Sequence, residues 1–115
     1  MKKMILVSLL GVLAIPVMLA QNTKKVQTID ASVDAQGNVH TATTPVKGPA
    51  TVTCASATNG GGGSNARPAT CYITGPGYHG DLVVGQSIGT SGAGTITLAC
   101  DGNPYPLHCR ASVEE

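Results

Sequence analysis

The chain contains no tryptophan and no phenylalanine, and its 3% aromatic content is three tyrosines, Tyr72, Tyr78 and Tyr105. Without large rings to supply buried area, any core must be thin. The tryptophan that packs on the inter-sheet disulfide of antibody domains is also missing. Charge is equally scarce, at 11% of residues. From Gln21 onward, Lys24, Lys25, Lys47, Arg67 and Arg110 stand against Asp30, Asp34, Asp81, Asp101, Glu114 and Glu115, a net of −1. That balance offers nothing to nucleic-acid phosphates or to an anionic membrane surface, so neither is expected as a partner. Large aliphatic side chains are few as well: eight Val, four Ile and three Leu among the ninety-five residues from Gln21. This share lies below the usual globular level. No segment after the first twenty residues has a helical period, and no N-x-Ser/Thr sequon occurs.

What the chain does have begins at its N-terminus. Lys2 and Lys3 precede an apolar run, Met4–Ile15, which Pro16 breaks ahead of the small residue Ala20. This is the pattern of a secretory signal peptide over residues 1–20, with cleavage expected after Ala20. The competing reading, an uncleaved anchor, would have only Met4–Ala20, roughly 26 Å of helix, at the short limit for a span. No membrane association is expected once the signal is removed.

Four cysteines, Cys54, Cys71, Cys100 and Cys109, remain in the exported part. An even count in an exported chain reads as a disulfide framework. Three pairings are open, and the local one is favoured because each pair flanks its own predicted hairpin. On the loop-entropy model each closure contributes roughly 3 kcal/mol, enough to decide whether so thin a domain folds.

The clearest periodicity lies at the C-terminal end. Ile96, Leu98 and Cys100 alternate with Thr95, Thr97 and Ala99, and after a turn-rich Asp101–Pro106 the alternation resumes. There Leu107, Cys109, Ala111 and Val113 face inward, and His108, Arg110, Ser112 and Glu114 outward. Upstream, Thr51–Cys54 and Thr70–Thr74 form two more strands around the Gly60–Gly63 loop. The glycine run has no Gly-Lys-Ser/Thr after it, so it reads as an exposed loop and not as a phosphate cradle. The strand–cysteine–loop–cysteine–strand order occurs twice, suggesting two hairpins that face each other. Asp81–Val84 is expected as a further strand led by Leu82 and Val84.

Residues 21–49 form a β-prone arm. Val26 to Val33 and Val39 to Val46 are expected strands joined by a tight turn, Asp34-Ala35-Gln36-Gly37-Asn38, with Gly37 available for positive φ. The expected architecture is all-β: a small antiparallel β-sandwich of six to eight strands, immunoglobulin-like or a partly open barrel, with two local disulfide-linked hairpins in residues 50–115.

Gly94-Thr95-Ile96-Thr97-Leu98-Ala99-Cys100, followed by Gly102, Pro104, Tyr105 and Leu107, resembles a strand of spore-coat-U and related pilus-type secreted subunits. The likeness covers about fourteen residues of 115. It implies an immunoglobulin-like subunit that assembles by strand donation, although Cys109 and the rest of the chain depart from the pattern.

Motifs for chemistry are absent. His40, His79 and His108 are widely separated, without the paired spacing of a metal site. The four cysteines have intervals unlike those of zinc knuckles. Ser87 or Ser91 with His79 and Asp81 would be the residues for nucleophilic catalysis, but none sits in a nucleophile elbow. Asp30, Asp34 and Asn38 lack the ligand alternation of a calcium loop. No cofactor, metal or catalytic residue is therefore expected. The sequence points to an exported, non-enzymatic structural subunit of the cell surface or extracellular space, or of the periplasm. It is expected to self-assemble, as a filament, by β-strand addition through the arm, with itself or another surface protein as partner. On that expectation, deleting Gln21–Val46 leaves a folded monomer; the competing reading is that the arm pairs within its own domain or stays an extended tail. The alternative is a monomeric secreted binding module or inhibitor, with the glycine loop and the tyrosines as its surface.

Overall fold

Alternation of apolar and polar side chains builds every long strand of the computed structural model, which describes residues 25–61 and 66–115. The expected signal peptide, residues 1–20, and the tip of the glycine loop, residues 62–65, lie outside the described residues. Nine strands form among those described: β1 (Val26–Val33), β2 (Val39–His40), β3 (Ala42–Val46), β4 (Thr51–Asn59), β5 (Arg67–Gly75), β6 (Tyr78–Leu82), β7 (Ser87–Gly89), β8 (Gly94–Asn103) and β9 (Leu107–Glu114). They make two antiparallel sheets, ordered β2-β1-β9-β4-β7 and β3-β8-β5-β6. The architecture is thus the expected all-β sandwich with two short-range disulfides.

In β9, Leu107, Cys109, Ala111 and Val113 are at most 2% exposed, while His108 and Arg110 are exposed and Ser112 and Glu114 half-buried. Ile96 and Leu98 of β8 are fully buried and meet Val52, Ile73 and Leu82 from the neighbouring strands. The buried set contains nine Val, Ile and Leu residues; the rest is alanine and cysteine. Two threonines complete the interior, each with a partner. Thr44 donates its hydroxyl to the Gln27 side-chain carbonyl, tying β3 to β1 across the sheets. Thr90 Oγ1 accepts from the Ala50 amide at 3.1 Å and donates to the Ala50 carbonyl at 3.3 Å.

The disulfides are Cys54–Cys71 and Cys100–Cys109, and no described cysteine is free. The two strands of each pair lie in opposite sheets. β4 and β9 belong to the five-stranded sheet, and β5 and β8 to the four-stranded one. Each cysteine pair therefore bridges the interior instead of lying across one hydrogen-bonded ladder. Inward residues of either arrangement share a face, so alternation alone does not distinguish them. At the bridges the backbones approach to Cα separations of 5.8 and 5.6 Å, inside the ~10 Å usual for packed sheets. Cys71 and Cys100 are register partners on adjacent strands, so the two bridges stand side by side. Exchanging β4 with β8 and β5 with β9 turns the central pair β9-β4 into β5-β8, the central pair of the other sheet read backwards, with β1 and β7 then standing where β6 and β3 do. The repeat around the cysteines is thus matched by an approximate two-fold arrangement of strands.

Three local features differ from the sequence expectation. The strand expected at Asp81–Val84 is instead Tyr78–Leu82. Val83 and Val84 sit in the following turn, 59% and 53% exposed, because Gly85 (φ 91°) and the Gln86 N–H···O=C Val83 bond close a turn there. The stretch from Val39 divides at Thr41, β2 pairing in one sheet and β3 in the other. Finally, β1 pairs along its full length with β9, and Ala31, Val33 and Val46 are buried in the common interior. The segment from Lys25 to Pro49 is thereby part of the same sandwich as the residues that follow it. Removing Gln21–Val46 would open this interior, so that deletion is expected to unfold the protein.

Non-reducing peptide mapping should return the Cys54–Cys71 and Cys100–Cys109 links and no free thiol. Replacing either pair by alanine is expected to cost about 2–5 kcal/mol in denaturant unfolding. A Cys54–Cys100 peptide would contradict the arrangement.

Candidate strand-addition edge

Asp34 closes the turn after β1. Its Oδ1 accepts the Gln36 and Asn38 backbone amides at 2.9 Å, and Oδ2 accepts the Asn38 side-chain amide at 3.0 Å. Bonds from Asn38, first from its backbone and then from its side chain, hold the Asp34 carboxyl below its usual pKa. Gly37, at φ 89°, supplies the left-handed residue the turn requires. Its Cα faces the Tyr105 ring, so an added Cβ there would lie 3.5 Å from that ring. β2 then pairs with Ser32 and Val33 only.

The rest of β1, Val26–Ala31, has β9 on one side and no paired strand on the other among the described residues. The direction of its backbone groups follows from one bond beyond its start: the Lys25 carbonyl accepts the Glu115 amide at 3.0 Å. The register with β9 continues without a shift, and along an antiparallel strand successive residues point their N–H and C=O to alternate sides. Gln27, Ile29 and Ala31 therefore bond to β9. Val26, Thr28 and Asp30 turn their N–H and C=O to the open side, and their side chains to the solvent face.

Sheet edges are normally guarded by proline, charge, bulges or shortness. β2 and β7 are two and three residues long. β3 carries Pro45, which has no N–H to offer. β6 carries the exposed polar residues His79 and Asp81. β4 has an irregularity in its ladder with β9 between Cys54 and Ser56, and on its outer side β7 pairs with Thr51–Thr53 and the Cys54 backbone is bonded to Gly85 and Gln86. The open stretch of β1 has no proline, no register shift and no truncation. Its one charge, Asp30, is held by Arg110 Nε at 2.8 Å, with His108 Nε2 at 3.9 Å. Val26, at its end, is 56% exposed.

The residues considered for chemistry are dispersed. Ser87 is on β7 and bonds Thr53 at 2.6 Å on the face of the five-stranded sheet. His79 and Asp81 are on β6 of the other sheet, where Asp81 accepts a bond from Thr70 at 3.1 Å. Ser91 donates its amide to the Pro76 carbonyl beside Gly77. His40 and His108 flank Ser32 on the register of β2, β1 and β9. Each lies 3.9 Å from a different carboxylate, Asp34 for His40 and Asp30 for His108. Among the described residues no group of three or more His, Cys, Asp or Glu is placed to hold a metal ion, and no helix is long and apolar enough to cross a membrane. Tyr72, Tyr78 and Tyr105 do not form one surface: Tyr72 and Tyr78 are half-buried on β5 and β6, and Tyr105 is 48% exposed in the β8–β9 turn. A concavity of about 320 Å³ opens at the other end of the sandwich between Pro49–Thr51, Gly89, Thr90, Glu114 and Glu115.

The sequence reading singled out the arm, but the open backbone groups of Val26, Thr28 and Asp30 were beyond it. They depend on which strand takes which side of β1, and residue types do not encode that. No family model, curated protein or solved structure matches the chain, so the fourteen-residue resemblance carries no family assignment.

His79→Ala and Asp81→Ala are expected to leave folding, as read by circular dichroism, and any measurable activity unchanged. Loss of a defined activity in a folded variant would contradict the non-enzymatic reading.

Proposed function

We propose that the protein is an exported, non-enzymatic structural subunit of the cell surface or extracellular space, and that it self-associates by strand addition along the outer edge of β1. The observation that carries this reading is the run Val26–Ala31, unpaired on its outer side among the described residues, with the N–H and C=O of Val26, Thr28 and Asp30 directed away from β9. Such an edge is a template for another strand: main-chain hydrogen bonds supply affinity, and alternate side chains set register. The two disulfides are compatible with an oxidising compartment, and the signal-peptide pattern of residues 1–20 supports export.

A second reading, a monomeric binding module or inhibitor, has one observation in its favour. The Asp34–Asn38 turn, Gly60 and the Pro104–Pro106 turn gather around Tyr105 at one end of the sandwich. This is where a loop-based recognition surface would be built.

Thr28→Pro separates the two. The Thr28 N–H faces the open side, so proline removes no bond to β9 and suits an edge strand. It does remove a donor that strand addition uses. The secreted wild-type protein should show a weight-average mass that rises with concentration in light scattering, and the variant should remain a folded monomer. A wild-type protein that stays monomeric at high concentration would overturn self-association and leave the binding-module reading.

A further inference from the structure

We propose that the partner strand is β1 of a second copy, paired antiparallel about a two-fold axis at Thr28. This rests on the strand-addition reading and specifies its partner and register. Three observations select it.

The first is that the other edges are poor recipients. β3 has Pro45, β6 has His79 and Asp81, and β2 and β7 are too short. The open run of β1 is best matched by the same run in another copy, an isologous contact. The net charge of −1 from Gln21 onward gives two copies little mutual repulsion.

The second is the sidedness of the backbone. Val26, Thr28 and Asp30 carry the free N–H and C=O groups, so they must oppose one another across the new ladder. A pair centred on Thr28 sets Val26 against the second copy's Asp30, Thr28 against Thr28, and Asp30 against Val26. All three are hydrogen-bonded pairs, with about six bonds in total at two per pair. Directly opposed residues share a face, so Gln27 and Ile29 stay on the core side and the sheets of the two copies run into one.

The third is that the neighbouring registers are worse. Centring on Ile29 sets Val26 against Ser32, whose open side is already occupied by His40 of β2, and leaves two hydrogen-bonded pairs. Centring on Asp30 sets Asp30 directly against Asp30, which is destabilising for like charges. Centring on Gln27 also leaves two pairs within β1. The unit of association is therefore a closed pair, and any longer assembly would require a second contact elsewhere on the molecule.

Single added cysteines test the register, because the native cysteines are all in disulfides. The secreted protein carrying Thr28→Cys is treated with a bifunctional thiol reagent spanning about 5.5 Å, the Cα separation of a hydrogen-bonded pair. It should be converted largely to covalent dimer on non-reducing gels. Asp30→Cys should not cross-link to itself, since its two copies would lie about 13 Å apart along the strands. Mixing Val26→Cys with Asp30→Cys should give the mixed dimer. Circular dichroism confirms that each variant is folded. If wild-type protein associates by light scattering but Asp30→Cys cross-links to itself, or Thr28→Cys does not, the two-fold register is wrong and strand addition stands. If wild-type protein is monomeric and Thr28→Cys yields no dimer, both fall.

Discussion

The two disulfides that cross between the sheets are the constraint on which the rest of the structure depends. Nine Val, Ile and Leu side chains and no fully buried aromatic ring fill the interior, less than a sandwich of this length usually buries. Cys54–Cys71 and Cys100–Cys109 lie next to each other and draw the sheets together at their middle strands. On the loop-entropy model each contributes roughly 3 kcal/mol, comparable with the net stability of a small domain. Because the bridges join β4 to β5 and β8 to β9, they fasten the four central strands. The flanking strands are held by ladders, by the Thr44–Gln27 bond and by the Thr90–Ala50 bonds.

This division between a stapled centre and ladder-held margins explains where interaction is placed. A thin interior leaves little freedom to redesign the middle strands, since the buried positions there are glycine, alanine, cysteine or a tightly packed aliphatic. The margins carry the variation in guarding: proline on β3, polar side chains on β6, truncation of β2 and β7. β1 differs because it is both a full-length strand and a margin. Its inward residues Ala31 and Val33 are committed to the core, and as far as Ala31 its outward backbone has no partner among the described residues. The Asp30–Arg110 pair removes the isolated charge that would otherwise discourage a neighbour, at little energetic gain of its own for so exposed a pair.

Much of this is legible in the sequence where the signal is local. The extent of β1, the Asp34–Asn38 turn with Gly37 at positive φ and the inward face of β9 all follow from period-two alternation and turn chemistry. What is not legible depends on pairing between distant residues. Alternation shows that Cys54 and Cys71 face inward but not that β4 and β5 are in opposite sheets. Leu82-Val83-Val84 reads as one strand, yet the register of β6 with β5 ends at Leu82 and the turn at Gly85 pulls the two valines out. The arm has too few apolar residues to look like a core element, and it becomes one only because β9 offers a complete ladder to it. The open edge follows from the same non-local fact.

The most direct test of that edge is amide hydrogen exchange of the secreted protein at low and high concentration. Lys25–Glu115 bonding fixes the phase of the strand, so Gln27, Ile29 and Ala31 should be protected at both concentrations. Val26, Thr28 and Asp30 should exchange rapidly when dilute and become protected as concentration rises. Equal and concentration-independent exchange at all six positions would contradict the account.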